Sequence, residues 1–411
     1  MPLLYDQKNL APIGQQELDE MVKKHGAFLE ARVGGSRAVL AYRNLSNLIL
    51  RGVNLSSADF SGSLLFDCDF RGANLDAASF FAAVLQKSDF SNASLVRGDL
   101  RGANLRGTNF SGADMTMADL REGAIARKDR GGNISLMLQP LAAETENKKP
   151  AGGYFTEHVD AGDAVFADAK LSRAILRDVN LSNAVLEKAD LSLAQLQGAC
   201  LKDAVLRGAD LTGAQTEGAD LTGVLRDEFQ GLRLEDEGRS LDDAVREHEE
   251  WLQSGGAKGK RLDLTRFDLR SEGPGACDFS GRNLAMMKAR HGLFYRLRFT
   301  GAQLQAAELR DNDFRMARFL RADLRGADFS GSNLMRASLQ LALLGPLKLP
   351  GGKAINASFS RCNLRFADLT GADLRGVNFS GADLTATDLR GADMEGSGMD
   401  GAITQGALMG V

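Results

Sequence analysis

Large apolar residues recur at every fifth position along most of this chain. In residues 323–334, DLRGADFSGSNL, the step falls on Leu324, Phe329 and Leu334; Asp or Asn precedes each, and Ala or Ser stands before that. The step is unbroken from Leu45 to Ile125, as in Leu55, Phe60, Leu65, Phe70 and Leu75. It returns from Phe166 to Leu221 with a slip at Thr216, and from Leu264 towards Thr404, weakened at Pro274, Ala289 and Ala354. A period of five is neither that of a helix, at about 3.6, nor that of a flat strand, at about 2.

The period follows if an extended chain turns a corner after each inward pair. Positions two apart on a strand point the same way, so the large residue and the small one two before it (Ala58, Cys68, Ala73, Ala184, Ala322, Ala327) both face inward. One more residue re-aims the chain, and the frequent glycine two after the center (Gly62, Gly72, Gly102, Gly326, Gly331, Gly371) suits that corner. Phe279, Phe299, Phe319, Phe359 and Phe379 lie multiples of 20 apart, Leu264, Leu284, Leu304, Leu324, Leu344, Leu364 and Leu384 mark another face, and Phe70, Phe90 and Phe110 repeat the step. Twenty residues per coil predicts four sides of five. Like residues then stack on like about 4.8 Å apart, and the third run, of about seven coils, is about 34 Å long. GPLKLPGGK (345–353) reads as a distorted coil or a bulging loop within it.

These residues resemble the pentapeptide-repeat family, whose pattern A-(D/N)-L-x-x is matched by AlaAspLeu at 209–211, 322–324, 367–369 and 372–374. The resemblance extends over about three quarters of the chain and implies a right-handed quadrilateral β-solenoid. The family is functionally diverse. Its best-known members resemble B-DNA in shape and charge and bind type II topoisomerases; others are secreted bacterial effectors.

Between the runs the pattern becomes helical. Residues 15–32 place Leu18, Met21, Val22, His25, Phe28 and Leu29 on one face, and residues 240–254 do the same with Leu241, Ala244, Val245, His248, Trp251 and Leu252. Ser240 can cap the second helix and Gly255 can end it. The chain therefore divides into an N-terminal helix and linker (1–35), a first solenoid block (36–125), a non-repeat insert (126–163), a second block (164–225), an acidic linker with a helix (226–260) and a third block (261–411). Each helix precedes a solenoid start, so Met21, Phe28 and Leu29 are expected over the first coil, and Trp251 and Leu252 over the start of the third block or against the end of the second. The rival expectation is that the same stripes join two chains as a homodimer. In the insert, Ile134, Leu136 and Leu138 alternate and are expected to pack on the solenoid, with 144–153 exposed and contributing to partner binding.

Composition removes several classes of function. Forty-six glycines, seven prolines and 6% aromatic residues suit a repeat, and the net charge of -4 gives no strong field for DNA or an acidic membrane. The start MPLLYDQKNL fits no secretory leader, and no apolar run approaches a membrane span of about 18 residues, which predicts a cytoplasmic protein. Cys68, Cys277 and Cys362 fall on the small inward position and Cys200 sits beside Leu201; with no CxxC pair they read as compact apolar residues. His25 and His248 hold equivalent places without a second His or Cys at ligand spacing, so packed or hydrogen-bonded histidines are expected, and Trp251 reads as a packing residue. No phosphate-loop, nucleophile-elbow or HExxH motif is present; no catalytic, cofactor or metal site is expected.

Charge bears on the choice between two readings. A DNA mimic needs carboxylates stacked along a face, yet Asp is commonly followed two on by Arg, as at Asp99 and Arg101, Asp323 and Arg325, Asp373 and Arg375. The exception is the C-terminal end, where Asp368 stacks with Asp388 and Asp373 with Asp393, with Asp383 between the rows; turn hydrogen bonding by Asp is the plainer account. The sequence therefore predicts a noncatalytic interaction scaffold with a protein partner and no direct nucleic-acid or membrane binding. The alternative is a DNA mimic directed at a type II topoisomerase such as DNA gyrase.

Overall fold

A computed structural model describes residues 10–128, 134–136, 154–228, 231–234, 236, 238, 240–270 and 277–410; for 124–128, 134–136 and 154–157 only the course of the backbone is described. The chain divides into two compact units, Met1–Glu228 and Phe229–Val411. Both are built from the same coil.

The coil closes on its own ladders. Asp59 bridges Val39 below and Ser79 above, both in parallel, and such bridges recur at every fifth residue with partners 20 apart, so each coil contributes to four ladders. The large residue after each bridge points inward: Leu45, Leu50, Leu55, Phe60, Leu65 and Phe70 are fully buried. Phe70 stacks on Phe90 with ring centroids 4.4 Å apart, and Phe90 on Phe110 at 5.1 Å. The second corner residue is left-handed whether it is glycine or not, as at Gly72 (φ 66), Asp67 (φ 56) and Ala77 (φ 54). Gly62 has a further reason to lack a side chain, because a Cβ there would lie 2.4 Å from the Tyr42 ring.

In the first unit the coil continues across the insert. Asn104 bridges Asp160 and Asp119 bridges Ile175, and Phe110 stacks on Phe166 at 5.2 Å. The coil therefore resumes at Asp160, inside the 126–163 stretch read from sequence as non-repeat; Val159, Ala161 and Ala164 are already core residues. The excursion itself is an antiparallel sheet in the order β4-β3-β5, made of β3 (Gly123–Lys128), β4 (Ile134–Leu136) and β5 (Tyr154–Glu157). The expected packing of Ile134, Leu136 and Leu138 and the exposure of 144–153 lie outside the described residues and side chains.

In the second unit the columns differ from those expected. Asp328 bridges Ser358, 30 residues on, because 345–353 leaves the coil as a hairpin of β6 (Leu347–Lys348) and β7 (Ala354–Ile355). Ten extra residues equal two sides, so Phe359 stacks on Phe329 at 4.9 Å and Phe379 on Phe359, while the Phe279, Phe299 and Phe319 stack ends at Phe319. Leu364 likewise continues the Leu334 column and not that of Leu324. The opening coil is five residues longer than the rest, with Asp263 paired to Lys288, which places Leu264 below Ala289. The Phe and Leu residues of these columns are buried. Additions in multiples of five preserve the period and exchange the faces.

Two deletions separate a shift of whole sides from a break in the period. Deleting 346–355 joins Gly345 to Asn356, puts Asn at the left-handed corner, which it tolerates, and keeps Ala357 inward. The variant is expected to retain its circular dichroism spectrum and melt within a few degrees of wild type. Deleting 346–354 shifts Ala357 off its inward position and is expected to melt far lower.

Candidate interaction sites

The outer faces are shaped first by backbone demand. In Asp368–Leu369–Thr370–Gly371–Ala372, the N–H of Asp368 donates to Ala337 O (2.9 Å) and that of Leu369 to Asp388 O (2.8 Å), in the two neighboring coils. Gly371 N–H reaches Arg390 O (3.0 Å), and Ala372 N–H closes the turn on Leu369 O (3.1 Å). The first corner residue, Thr370, faces no carbonyl, and its N–H donates to Asp368 Oδ1 (3.0 Å). Asn serves equally: Asn54 Oδ1 accepts from Ser56 N–H and Asn378 Oδ1 from Ser380 N–H. The Asp or Asn before each center is thus a corner acceptor.

Where Arg occupies the first corner it returns to the same carboxylate. Arg375 donates Nε to Asp373 Oδ1 and Nη2 to Oδ2, both at 2.8 Å, and its guanidinium holds the Asp373 carboxyl below the usual carboxylate range. The same fork joins Arg71 to Asp69, Arg101 to Asp99, Arg315 to Asp313, Arg325 to Asp323 and Arg390 to Asp388.

The C-terminal carboxylates are therefore largely compensated. Asp368 bridges Asp388 and Asp373 bridges Asp393, as two adjacent ladders. Asp383 does not lie between them: it belongs to the Asn363–Asp383–Ile403 ladder, on the far side of the Asp368–Asp388 row, because four sides separate Asp368 from Asp388 and Asp383 is the last of them. Arg365 reaches Asp383 at 3.1 Å and Arg375 reaches Asp393 at 3.6 Å, while Gln340 and Thr370 donate to Asp368.

The second candidate is the pair of helices. α1 (Gln15–Leu29) buries Leu18 and His25 and packs Met21 and Val22 against the first-unit core. α2 (Leu241–Gln253) buries Ala244, Val245 and His248 against the second-unit core, with Leu241 beside them, and Ser240 Oγ caps it by accepting from Asp243 N–H (3.1 Å). The covering face is centered on these residues and differs from the one expected. Phe28 and Leu29 are 43% and 37% exposed, one turn beyond the coil, and Phe28 stacks against His25. Trp251 stacks on His248 and is half-buried, as is Leu252.

Around α1, two contacts had no signal in the pattern. β1 (Ala11–Pro12) lies parallel on β2 (Arg43–Asn44), which sets Ile13 over the core. The Gln15 amide copies a peptide group, with Nε2 donating to Ile49 O (2.8 Å) and Oε1 accepting from Ile49 N–H (2.9 Å). A polar residue at a helix start reads from sequence as solvated.

Chemistry is sparse elsewhere. Burial pushes the Cys68 thiol up to about 11 and the Cys362 thiol to about 12, and each donates to a carbonyl, Leu45 O and Phe329 O, at 3.0 Å. Cys200 and Cys277 are half-buried. A groove of about 390 Å³ lined by Asp263, Thr265, Lys288, Ala289, Arg290, Glu308 and Arg310 has its cations paired, Lys288 with Glu308 across the lining and Arg290 and Arg310 with Asp311 and Asp328 outside it. Among the described residues no cluster of three or more His, Cys, Asp or Glu could hold a metal ion, and no helix is long and apolar enough to cross a membrane.

Parallel ladders around a stacked interior define a β-helix-type solenoid. The family model for pentapeptide repeats matches eight copies, at 36–72, 58–95, 73–112, 88–122, 164–203, 189–225, 298–340 and 357–396. More than half of the chain is matched, and the chain belongs to the pentapeptide-repeat family. Similar solved structures include HetL, a pentapeptide repeat protein involved in heterocyst differentiation regulation from Nostoc sp. strain PCC 7120 (22% identity, 93% of this chain and 96% of that one, TM-score 0.15). QnrB1, a plasmid-mediated fluoroquinolone resistance protein, matches at 18% identity over 47% of this chain and 87% of that one (TM-score 0.25). A pentapeptide repeat protein of the Arabidopsis thaliana thylakoid lumen matches at 30% identity over 26% of this chain and 62% of that one (TM-score 0.15). No curated protein matches the chain.

The two helix faces make separable predictions. Leu18→Asp places a charge in the dry contact between α1 and the first coil and is expected to cost about 3 kcal/mol or more, with aggregation seen by light scattering. Leu29→Asp, on the exposed side of the helix, is expected to leave the circular dichroism spectrum unchanged and to cause no aggregation.

Proposed function

We propose that this protein is a noncatalytic protein-interaction scaffold of the cytoplasm, built on a right-handed quadrilateral solenoid. The observation that carries the reading is the fork between face carboxylates and the arginine two residues on: it leaves faces of mixed, locally balanced charge, suited to a protein surface. Such faces suit neither nucleic acid nor a membrane. They also weigh against the topoisomerase-directed DNA mimic, which needs uncompensated negative rows. Loops on a rigid scaffold often carry recognition, which assigns partner contact to the insert between the two blocks of the first unit. Exposed Phe28 and Leu29 favor a homodimer through the outer side of α1, and Leu29→Asp is expected to convert that dimer to a monomer, as read by light scattering.

The test is affinity capture from the native host with quantitative mass spectrometry, beside a DNA gyrase supercoiling assay with the purified protein. A stoichiometric protein partner and unchanged supercoiling are expected. Gyrase subunits in the capture together with inhibited supercoiling would replace this reading with DNA mimicry.

A further inference from the structure

His25 and His248 make the same pair of bonds in different units. His25 Nδ1 accepts the N–H of Ala38 at 3.0 Å, which leaves the ring proton on Nε2, 3.0 Å from Ser56 O. His248 Nδ1 accepts the N–H of Leu262 at 3.1 Å and its Nε2 lies 3.0 Å from Ala285 O. Both histidines are fully buried, and each imidazole stacks on the aromatic residue three positions later, Phe28 or Trp251, at 5.8 Å. An arginine stands just before each donor: Arg37 Nε donates to Ser57 O (2.7 Å) and Arg261 Nε to Met286 O (2.5 Å). The helix thus joins the entering chain and the first coil through one neutral ring.

We infer that the two imidazoles are acid-released clasps, whose protonation frees each cap helix and uncovers the first coil of its unit. A proton added at Nδ1 would face the N–H of Ala38 or Leu262 head-on, so the closed clasp has no place for it. Charged groups beside the rings oppose it as well, Arg37 near His25 and Arg261 near His248, where Glu249 is an acidic counterweight. Burial, the largest cause, sets both histidines below their ordinary value of 6.5. The closed state is therefore the neutral one. Closure is at full strength above 6.5 and weakens as pH falls below it, by about tenfold per unit at each site until the lowered value of the closed ring is reached. What opens is a row of unpaired edge groups and the apolar interior at Leu40, Leu45, Leu50 and Leu55, a template for association with another chain.

Hydrogen exchange of the Ala38 and Leu262 amides at pH 7.5 and 5.0, corrected for intrinsic rates, tests the clasp. Protection in the wild-type chain is expected to fall, by at most about tenfold for each unit below 6.5. In the double variant H25Q/H248Q, whose amides accept and donate without titrating, it is expected to stay within about twofold. Unchanged protection in the wild type, or an equal loss in the double variant, overturns the inference. If the double variant does not fold, NMR of the two buried wild-type imidazoles decides it. His25 and His248 are expected to titrate below the ordinary 6.5, moving the Ala38 and Leu262 amide signals as they do; titration at 6.5 or above, with the amides unmoved, overturns the inference.

Discussion

A coil of five-residue sides must find a partner for every backbone N–H, and one of the five has no carbonyl in reach. Neighboring coils take the N–H groups of the residue before the center, the center itself and the second corner residue, and the turn takes the next. The first corner N–H is left over, and leaving a buried or half-buried donor unmet costs about 1–3 kcal/mol. A side-chain oxygen two residues earlier meets it, as Asp368 does for Thr370 and Asn54 for Ser56. The alternation of apolar, small and acceptor positions follows from that need together with the interior that the large and small residues fill.

This constraint places carboxylates on the outer faces without any partner calling for them. The fold also supplies their compensation, because an arginine at the first corner is within reach of the same carboxylate and of the one in the next coil, as Arg375 is of Asp373 and Asp393. Exposed pairs of this kind add little stability, about 0–1 kcal/mol each, but they flatten the surface potential. A repeat scaffold with balanced faces is the outcome, and the features that set parts of its surface apart are those that interrupt the repeat: the insert, the 345–353 hairpin and the helices.

The period of five and four-sidedness were legible because the inward positions admit only large or small apolar residues. Column membership was not. An addition of five or ten residues leaves the pattern intact while moving Leu264, Phe359 and Leu364 to other faces, and only the ladders reveal it. The helical stripes were legible too, yet a stripe of six residues is wider than the contact, which ends near His25 and leaves Phe28 against the histidine ring. The bonds that tie His25 to Ala38 and Ser56 join residues 13 and 31 positions apart, which no local pattern encodes.

The role assigned to the face carboxylates can be measured most directly in two variants with all of Asp368, Asp373, Asp383, Asp388 and Asp393 replaced, by Asn in one and by Ala in the other. Asn keeps the corner acceptor and removes the charge; Ala removes both. The melting temperature of the Asn variant is predicted to stay within a few degrees of wild type, and that of the Ala variant to fall well below it. Equal melting of the two variants would contradict the account, since the carboxylates would then be present for their charge and not for the corner.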